Sequence, residues 1–185
     1  MSCGEALEFQ YAYNLDVTEE QYEELVRAKT GSLIGAATEI GAGLNGSAKH
    51  RAVREQYRAF GERLGVAFQT VDDLFDYLGD PEITGKPVGY DLAEGKVTLP
   101  LIAALGRMAP VERRVVARLM DTADPGDDLV AEVIQLVTAA GGLEYARRRA
   151  GELALQAETE LEALPPSPAR DALRDAIAYA VERRS

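Results

Sequence analysis

The sequence predicts an all-α protein, and three observations support this fold class. Apolar residues recur at spacings of three and four along nearly the whole chain, and no stretch alternates as a strand does. Clusters of Gly, Pro, Asn and Asp separate these periodic segments. The 185 residues are enough to bury a sizeable core. We therefore expect a single domain over residues 1–185, built from about eight helices.

The first three helices follow from these breaks in chain order. One helix is predicted over residues 4–13, and the polar run at 14–16 ends it. The next begins at TEEQ, residues 18–21, which has the form of a capping box, and ends at the GLNGS break near Leu44. The third helix, 47–78, begins at the capping residue Ser47 and carries an apolar stripe that we expect to be buried: Val53, Tyr57, Phe60, Leu64, Phe68, Val71, Phe75 and Leu78.

A segment rich in Gly, Pro and charge, residues 79–97, is predicted to be a loop, and a loop this long in a compact helical domain is usually functional or disordered. Pro110 suits a first helical turn, and DPGDD and LPPSP are clear breaks. Five helices are predicted after the loop, over about residues 98–108, 110–123, 127–140, 143–164 and 168–184. The last two are rich in Arg, Glu and Ala, and we expect them to form an outer, solvent-facing cover.

Charge and composition exclude several classes of partner. Lys and Arg number 20 against 31 Asp and Glu, a formal net charge of −11, which argues against nucleic acid or an anionic membrane surface. No stretch approaches the ~20 apolar residues of a membrane span, and no secretory signal is visible. Cys3 is the only cysteine, so no internal disulfide can form. We expect a cytoplasmic protein.

Three carboxylates lie close together in FQTVDDLFDYLGD, residues 68–80. On a helix, Asp72 and Asp76 lie one turn apart, and Asp73 and Asp76 are i, i+3 neighbours, so each pair repels by a few tenths of a kcal/mol. Mg²⁺, which takes one or two carboxylates and bridges to phosphate oxygens, would neutralise them. A solvated acidic helix end is the alternative, which the apolar neighbours Phe68 and Phe75 weaken.

Two further segments carry basic residues. The loop ITGKPVGYDLAEGKVTLP, residues 83–100, contains Gly-Lys pairs at Lys86 and Lys96, which suit phosphate, with Asp91 between them. A flexible polar surface loop is the alternative. In AKTGSL, residues 28–33, Lys29 and Thr30 fall mid-helix, where a lysine is costly without an anion unless it reaches the surface. Gln69, one turn before Asp73, can bind a ligand or bridge helices. Together these residues predict a diphosphate–metal site.

Four segments resemble the trans-isoprenyl (polyprenyl) diphosphate synthases in order and spacing: GEALEF, EEQYEELVRAKTGSLIGAATEIGAGL, GVAFQTVDDLFDYLGD and GKPVGYDLAEGKVTLPLI. The third resembles the second aspartate-rich motif of that family. The resemblance covers roughly the first hundred residues and continues more loosely through the helical tail. It implies an isoprenoid-synthase helical bundle and Mg²⁺-dependent prenyl transfer, in which an allylic diphosphate condenses with isopentenyl diphosphate.

The resemblance also implies a role for each matching residue. Asp72, Asp73 and Asp76 match metal-binding acids, and Asp91 matches an acid near the metals. Lys29, Lys86 and Lys96 match lysines that bind the substrate diphosphate, while Thr30 and Gln69 match residues beside the reacting allylic chain. The residues expected to act in catalysis are therefore Lys29, Thr30, Gln69 and Lys86.

The chain departs from the family in having no second DDxxD motif. The family carries another such motif upstream, with bases that hold isopentenyl diphosphate, and this chain begins where the family fold is about midway. DPGDD, residues 124–128, falls at a break and cannot substitute. We expect a partial bundle without the N-terminal helices of the family fold, active only in a homo- or hetero-oligomer with a prenyl synthase chain that supplies the missing half.

Two other functions stay open. The chain can be a non-catalytic subunit or diphosphate-binding module of a prenyl synthase. It can also be a terpene cyclase relative, although the Gly-Lys loop ending in TLP is more similar to the chain-elongating enzymes. In every case, apolar faces around residues 34–44 and 60–78 are predicted to drive association.

Overall fold

The computed structural model describes residues 2–44, 51–79 and 87–182. Within these ranges the chain forms helices and turns without a strand, which confirms the all-α prediction. The elements in chain order are α1 Ser2–Tyr11, α2 Glu19–Val26, a π-helical segment Arg27–Gly31, α3 Ser32–Leu44, α4 Arg51–Leu78, α5 Tyr90–Ala93, α6 Leu99–Leu105, α7 Pro110–Met120, α8 Asp127–Ala139, α9 Gly142–Glu162 and α10 Pro168–Glu182.

The local sequence signals place several helix starts correctly. At α2, the Gln21 amide donates to Thr18 Oγ1 at 3.3 Å and the Thr18 amide donates to Gln21 Oε1 at 2.9 Å, which is the predicted capping box. At α7, Pro110 occupies the first turn and the Ala109 amide donates to Glu112 Oε2 at 2.7 Å. The predicted cap at Ser47 lies outside the described residues.

A π-helical segment interrupts the single helix predicted over residues 18–44. The Ser32 amide donates to the carbonyl of Arg27, five residues earlier, so one extra residue is accommodated without breaking the helix. The hydrophobic spacing carries no sign of this insertion. Lys29 and Thr30 both lie inside the segment, and π-helical turns are frequent at functional sites.

The predicted loop 79–97 contains a short helix, α5, that the sequence pattern did not indicate. Gly89 and Gly95 flank it with φ angles of 77° and 74°, a left-handed conformation that glycine adopts without steric cost. Residues 80–86 of the loop lie outside the described ranges.

The chain divides into two compact units. Unit 1 comprises the described residues of Met1–Glu5, Glu23–Val71 and Arg149–Arg184, and unit 2 those of Ala6–Tyr22 and Asp72–Arg148. Helices α4 and α9 each contribute to both units. The assignment of residues 1–185 to a single domain stays a prediction.

The core of unit 1 corrects the prediction for the last two helices. Phe60 and Leu64 of α4 pack with buried side chains from α9, α10 and the link between them: Ala154, Ala157, Leu161, Leu164, Ile177 and Ala180. The expectation that these helices form only an outer cover is therefore wrong for their inner faces. Alanine gives a weak hydrophobic signal in the sequence, although its small side chain allows helices to pack closely.

The predicted stripe of α4 is buried at Phe60, Leu64 and Val71, but Leu78 is 49% exposed. In the last turns of the helix the buried side chains are those of Thr70, Leu74 and Tyr77, which follow a helical i, i+4, i+7 spacing on a different face from Leu78. The expectation of a buried Leu78 is therefore wrong. The remaining members of the stripe are half-buried: Val53, Tyr57, Phe68 and Phe75.

Glycines allow the π-helical segment and α3 to approach α4 within unit 1. A Cβ placed on Gly65 would lie 2.7 Å from Gly31 Cα, and a Cβ placed on Gly61 would lie 2.7 Å from the Ile34 carbonyl oxygen. On the opposite side, a Cβ on Gly35 would lie 2.7 Å from Glu62 Cγ. No side chain fits between the two backbones at these positions.

Unit 2 packs α6 and α7 against α8. Its buried side chains include Leu101, Val116, Leu119, Val133 and Val137. In the part of the chain that the structure describes, no single helix has the length and apolar composition to cross a membrane; only one bent pair, α8 with α9, meets that test when taken together.

We expect Gly65→Ala to lower the free energy of unfolding by about 1–3 kcal/mol, because the added methyl group meets the Gly31 backbone and the helices must separate. Urea unfolding measures this change. Gly151→Ala in α9 is the matched control, since a Cβ there meets nothing within 4 Å. This control should gain about 0.5–1 kcal/mol from helix propensity. Equal effects of the two substitutions would contradict the close-contact interpretation.

Candidate functional site

The predicted site residues fall into two groups, one in each unit. Lys29, Thr30 and Gln69 belong to unit 1, whereas the acids and Lys96 belong to unit 2. The acids are Asp72, Asp73, Asp76 and Asp91. Lys86, the remaining predicted residue, lies outside the described residues.

In unit 1, the Thr30 hydroxyl donates to Gln69 Oε1 at 3.0 Å. This bond joins the π-helical segment to α4. Thr30 directly precedes Gly31 and Gln69 lies one turn after Gly65, so the close approach of the two backbones at these glycines brings the two side chains within reach. Of the two roles predicted for Gln69, the structure shows the bridge between helices. The hydroxyl and the amide form one fixed polar pair.

Lys29 is half-buried, and its ammonium lies 3.9 Å from Glu5 Oε1. This distance is at the outer limit of an ion pair, and the Glu5 carboxylate is 55% exposed, so the pair contributes little to stability. A Cβ on Gly4 would lie 2.5 Å from Lys29 Cα, so α1 runs directly against this residue.

In unit 2, Asp73 is buried and receives a hydrogen bond from an unpredicted residue. The Tyr22 hydroxyl donates to Asp73 Oδ2 at 2.6 Å, and both side chains are more than nine-tenths buried. Tyr22 fixes the orientation of this carboxylate. The two residues lie 51 positions apart, and no local pattern in the sequence links them.

Asp76 anchors the loop that contains α5. Its Oδ1 accepts from the Asp91 amide at 3.0 Å, and its carbonyl oxygen accepts from the Gly89 amide at 2.7 Å. Its Oδ2 is buried and has no hydrogen-bond partner among the described residues. Desolvation raises the pKa of the Asp76 carboxyl to about 6, and the hydrogen bond from the Asp91 amide only partly offsets this effect.

Lys96 forms ion pairs with two acids of the same loop. Its Nζ lies 2.6 Å from Asp91 Oδ1 and 3.0 Å from Glu94 Oε2. Burial alone would lower the pKa of Lys96, but the hydrogen bonds to Asp91 and Glu94 outweigh it and hold the pKa above its ordinary value. Lys96 is therefore a charged ammonium with carboxylate partners at the position predicted to bind phosphate.

The donor set of unit 2 fits an oxygen-liganded divalent ion that arrives with a phosphate ligand. Within residues 2–44, 51–79 and 87–182, no three His, Cys, Asp or Glu side chains converge as a complete metal site. Mg²⁺, however, needs only one or two carboxylates when phosphate oxygens complete its shell. The Oδ2 of Asp76, which has no hydrogen-bond partner among the described residues, is an acceptor of this kind, and burial disfavours the charge of the carboxylate.

Unit 1 also contains an apolar cavity of about 780 Å³ between α3, the first turns of α4 and the start of α10. Its walls include Ile34, Ala37, Val53, Tyr57 and Leu173. On α3, Leu33, Ile40 and Leu44 are exposed, as expected for an apolar face around residues 34–44. An exposed apolar face was also expected around residues 60–78. That expectation is wrong except at Leu78, because Phe60, Leu64 and Val71 are buried in the core.

Comparisons with known proteins give a consistent result. The sequence model of the polyprenyl synthetase family matches residues 1–137. The short chain isoprenyl diphosphate synthase of Methanothermobacter thermautotrophicus is 42% identical over 182 residues, 97% of this chain and 54% of that protein. The octaprenyl diphosphate synthase of Escherichia coli is 37% identical over 180 residues, 97% of this chain and 55% of that protein.

Solved structures agree with the sequence matches. A decaprenyl diphosphate synthase from Rhodobacter capsulatus has a TM-score of 0.89 at 36% identity, over 100% of this chain and 56% of that one. A polyprenyl synthase from Caulobacter crescentus, complexed with calcium and isoprenyl diphosphate, has a TM-score of 0.90 at 34% identity over the same shares. The chain spans about half the length of the curated relatives it matches.

We expect Tyr22→Phe to lower the free energy of unfolding at pH 7 by about 1–3 kcal/mol, because the buried Asp73 carboxylate loses a donor. The loss should shrink in an Asp73→Asn background, since the two side chains interact directly. Urea unfolding provides both values. Tyr179→Phe removes a hydroxyl from an exposed tyrosine and should stay within about 0.5 kcal/mol of wild type. A Tyr22→Phe protein as stable as wild type would contradict the assignment.

Asp76 should make the protein less stable as the pH rises from about 4 to about 6. Its pKa is about 6 in the folded protein against 3.8 for the model value, so the folded state binds more protons in this window and loses stability through it. Asp76→Asn removes the charge and should be more stable than wild type by about 1–2 kcal/mol at pH 7.5, after allowance for solvent screening.

The difference between Asp76→Asn and wild type should close as the pH falls to 4, and unfolding curves at several pH values measure it. Asp175→Asn in α10 removes an exposed carboxylate and serves as the control for the loss of one charge. A difference that stays constant from pH 4 to 7.5 would show that burial does not disfavour the Asp76 charge.

Proposed function

The chain belongs to the polyprenyl synthetase family, and on that premise we propose that it takes part in prenyl transfer, the condensation of an allylic diphosphate with isopentenyl diphosphate. The observation that carries the proposal is the arrangement of Asp76, Asp91 and Lys96. Here the Asp76 carboxylate oxygen Oδ2, buried and without a hydrogen-bond partner among the described residues, belongs to the residue that anchors the loop of Lys96, which pairs with Asp91. A divalent ion requires carboxylate oxygens of this kind, and a phosphate requires a lysine.

The acids of unit 2 hold the metal in this proposal. Asp72, Asp73 and Asp76 would hold Mg²⁺, and Asp91 would be an acid near the metal. Support comes from the unpartnered oxygen of Asp76 and from Tyr22, which orients Asp73. The Caulobacter crescentus relative was solved with calcium, another hard cation that prefers oxygen ligands. When bound, the ion supplies positive charge that stabilises the diphosphate as it leaves.

The basic and polar residues act on the substrate. Lys29, Lys86 and Lys96 bind diphosphate oxygens, and Thr30 with Gln69 lies beside the allylic chain. The carbon–oxygen bond of the allylic diphosphate breaks, and its electron pair leaves with the diphosphate. The double bond of isopentenyl diphosphate attacks the allylic cation, and loss of a proton restores a double bond. Electrostatic stabilisation of the leaving group accounts for most of the rate enhancement.

We propose that turnover requires a second prenyl synthase chain, in a homo- or hetero-oligomer in the cytoplasm. One observation supports a partner: the side chains of Leu33, Ile40 and Leu44 leave an apolar face of α3 exposed. The single, exposed Cys3 suits a reducing compartment.

A second candidate function is a subunit that binds diphosphate without turnover. Binding and turnover therefore need separate tests.

For binding, we expect the purified chain to take up inorganic pyrophosphate in the presence of Mg²⁺, measured by calorimetry. Asp73→Asn and Lys96→Ala should each weaken binding by at least about tenfold, because each removes a charged contact. Asp175→Asn should bind as wild type does. Absence of binding by wild type would overturn the proposed function.

For turnover, the chain is mixed with an allylic diphosphate, isopentenyl diphosphate and Mg²⁺, alone and with a candidate partner chain of the same family. We expect product only when both chains are present. Product from the chain alone would overturn the requirement for a partner. Binding without product in any mixture would favour the second candidate.

A further inference from the structure

Tyr13 has an unfavourable backbone conformation at the end of α1. Its φ of 63° is the only positive value for a non-glycine residue in the described parts of the chain. Bulky side chains rarely adopt this left-handed conformation, which glycine or asparagine accepts more easily. Tyr13 is also 54% exposed, so burial of its ring gives limited compensation. Strain of this kind persists where the surroundings fix the residue, often for a functional reason.

Two contacts fix Tyr13 to Gly95 within unit 2. The Tyr13 amide donates to the Gly95 carbonyl oxygen at 2.7 Å. The aromatic ring lies directly against the glycine, since a Cβ on Gly95 would overlap the ring carbons Cδ1, Cε1 and Cζ. The hydroxyl takes no part in either contact.

Gly95 immediately precedes Lys96, the lysine of the proposed diphosphate site. The Gly95 amide donates to the Leu92 carbonyl at 3.0 Å, and the Lys96 amide donates to the Asp91 carbonyl at 2.9 Å, which closes the turn after α5. At the other end of this turn, Asp76 accepts from the amides of Gly89 and Asp91. The α5 turn is thus held at one end by Asp76 and at the other by Tyr13.

We propose that Tyr13 is a positioning residue for diphosphate binding. Its ring and amide fix Gly95, and Gly95 in turn holds the Lys96 ammonium beside Asp91. When diphosphate binds, the Lys96 ammonium exchanges the Asp91 carboxylate for a phosphate oxygen. This inference rests on the proposed function of Lys96. The ring carbons and the amide carry the role, so phenylalanine should replace tyrosine at this position.

The test uses calorimetric binding of inorganic pyrophosphate with Mg²⁺ to the full chain. Tyr13→Asn keeps the amide and suits the left-handed conformation while it removes the ring, so this variant should fold. We expect its affinity to fall by at least about fivefold, whereas Tyr13→Phe should stay within about twofold of wild type. Phe9→Ala, in α1 and 83% exposed, is the matched control and should bind as wild type does.

A double-mutant cycle separates positioning from a general structural effect. In a Lys96→Ala background, Tyr13→Asn should weaken binding by less than about twofold, because the residue it positions is gone. Gly95→Ala approaches the same contact from the other side and should lose affinity as Tyr13→Asn does.

The outcomes distinguish this inference from the function on which it rests. If wild type does not bind, or Lys96→Ala binds as well as wild type, the proposed function fails and the inference fails with it. If Lys96→Ala weakens binding and Tyr13→Asn does not, only the positioning role is overturned. Equal losses from Tyr13→Asn with and without Lys96 would also overturn it.

Discussion

The candidate site of unit 2 depends on Asp76, which binds the α5 turn through both its backbone and its side chain. The carbonyl oxygen accepts from Gly89 and the carboxylate accepts from Asp91, so the end of α4 and the turn form one rigid arrangement. The cost is burial of the carboxylate, since desolvation raises its pKa and no described residue forms a hydrogen bond with its Oδ2. The residue that orders the turn therefore also carries a carboxylate whose charge is disfavoured by burial.

Unit 1 reaches its local geometry by a different constraint, the close approach of two helices. Glycines remove the side chains that would separate the backbones, and the π-helical segment inserts one residue on the facing side. Together they place Thr30 against Gln69. The chain stays helical from α2 through the π-helical segment into α3, so the insertion changes which side chains face α4 without adding a loop.

Local signals in the sequence predicted most of the described helices, and the type of site stays a prediction. Periodicity and the Thr18–Gln21 capping box predicted where helices begin, and the crowded acids predicted a need for a cation. The sequence could not show Tyr22 or Tyr13, because their partners are distant in the chain and meet only in the folded protein. The alanine-rich core of α9 and α10 was missed because alanine gives little hydrophobic contrast, and the π-helical segment was missed because the buried residue at its end is Gly31, which has no apolar side chain.

The ion pair between Lys96 and Asp91 has a consequence for how ligands compete at this loop. An anion that binds Lys96 replaces the carboxylate of Asp91 as the partner of the ammonium. The exchange therefore displaces a charge of the protein itself and releases few salt ions into the solution. Affinity at this lysine should then respond less to ionic strength than binding to an open basic surface does. The carboxylate that is set free stays tethered beside the ligand, where it repels any anion that arrives without a cation of its own.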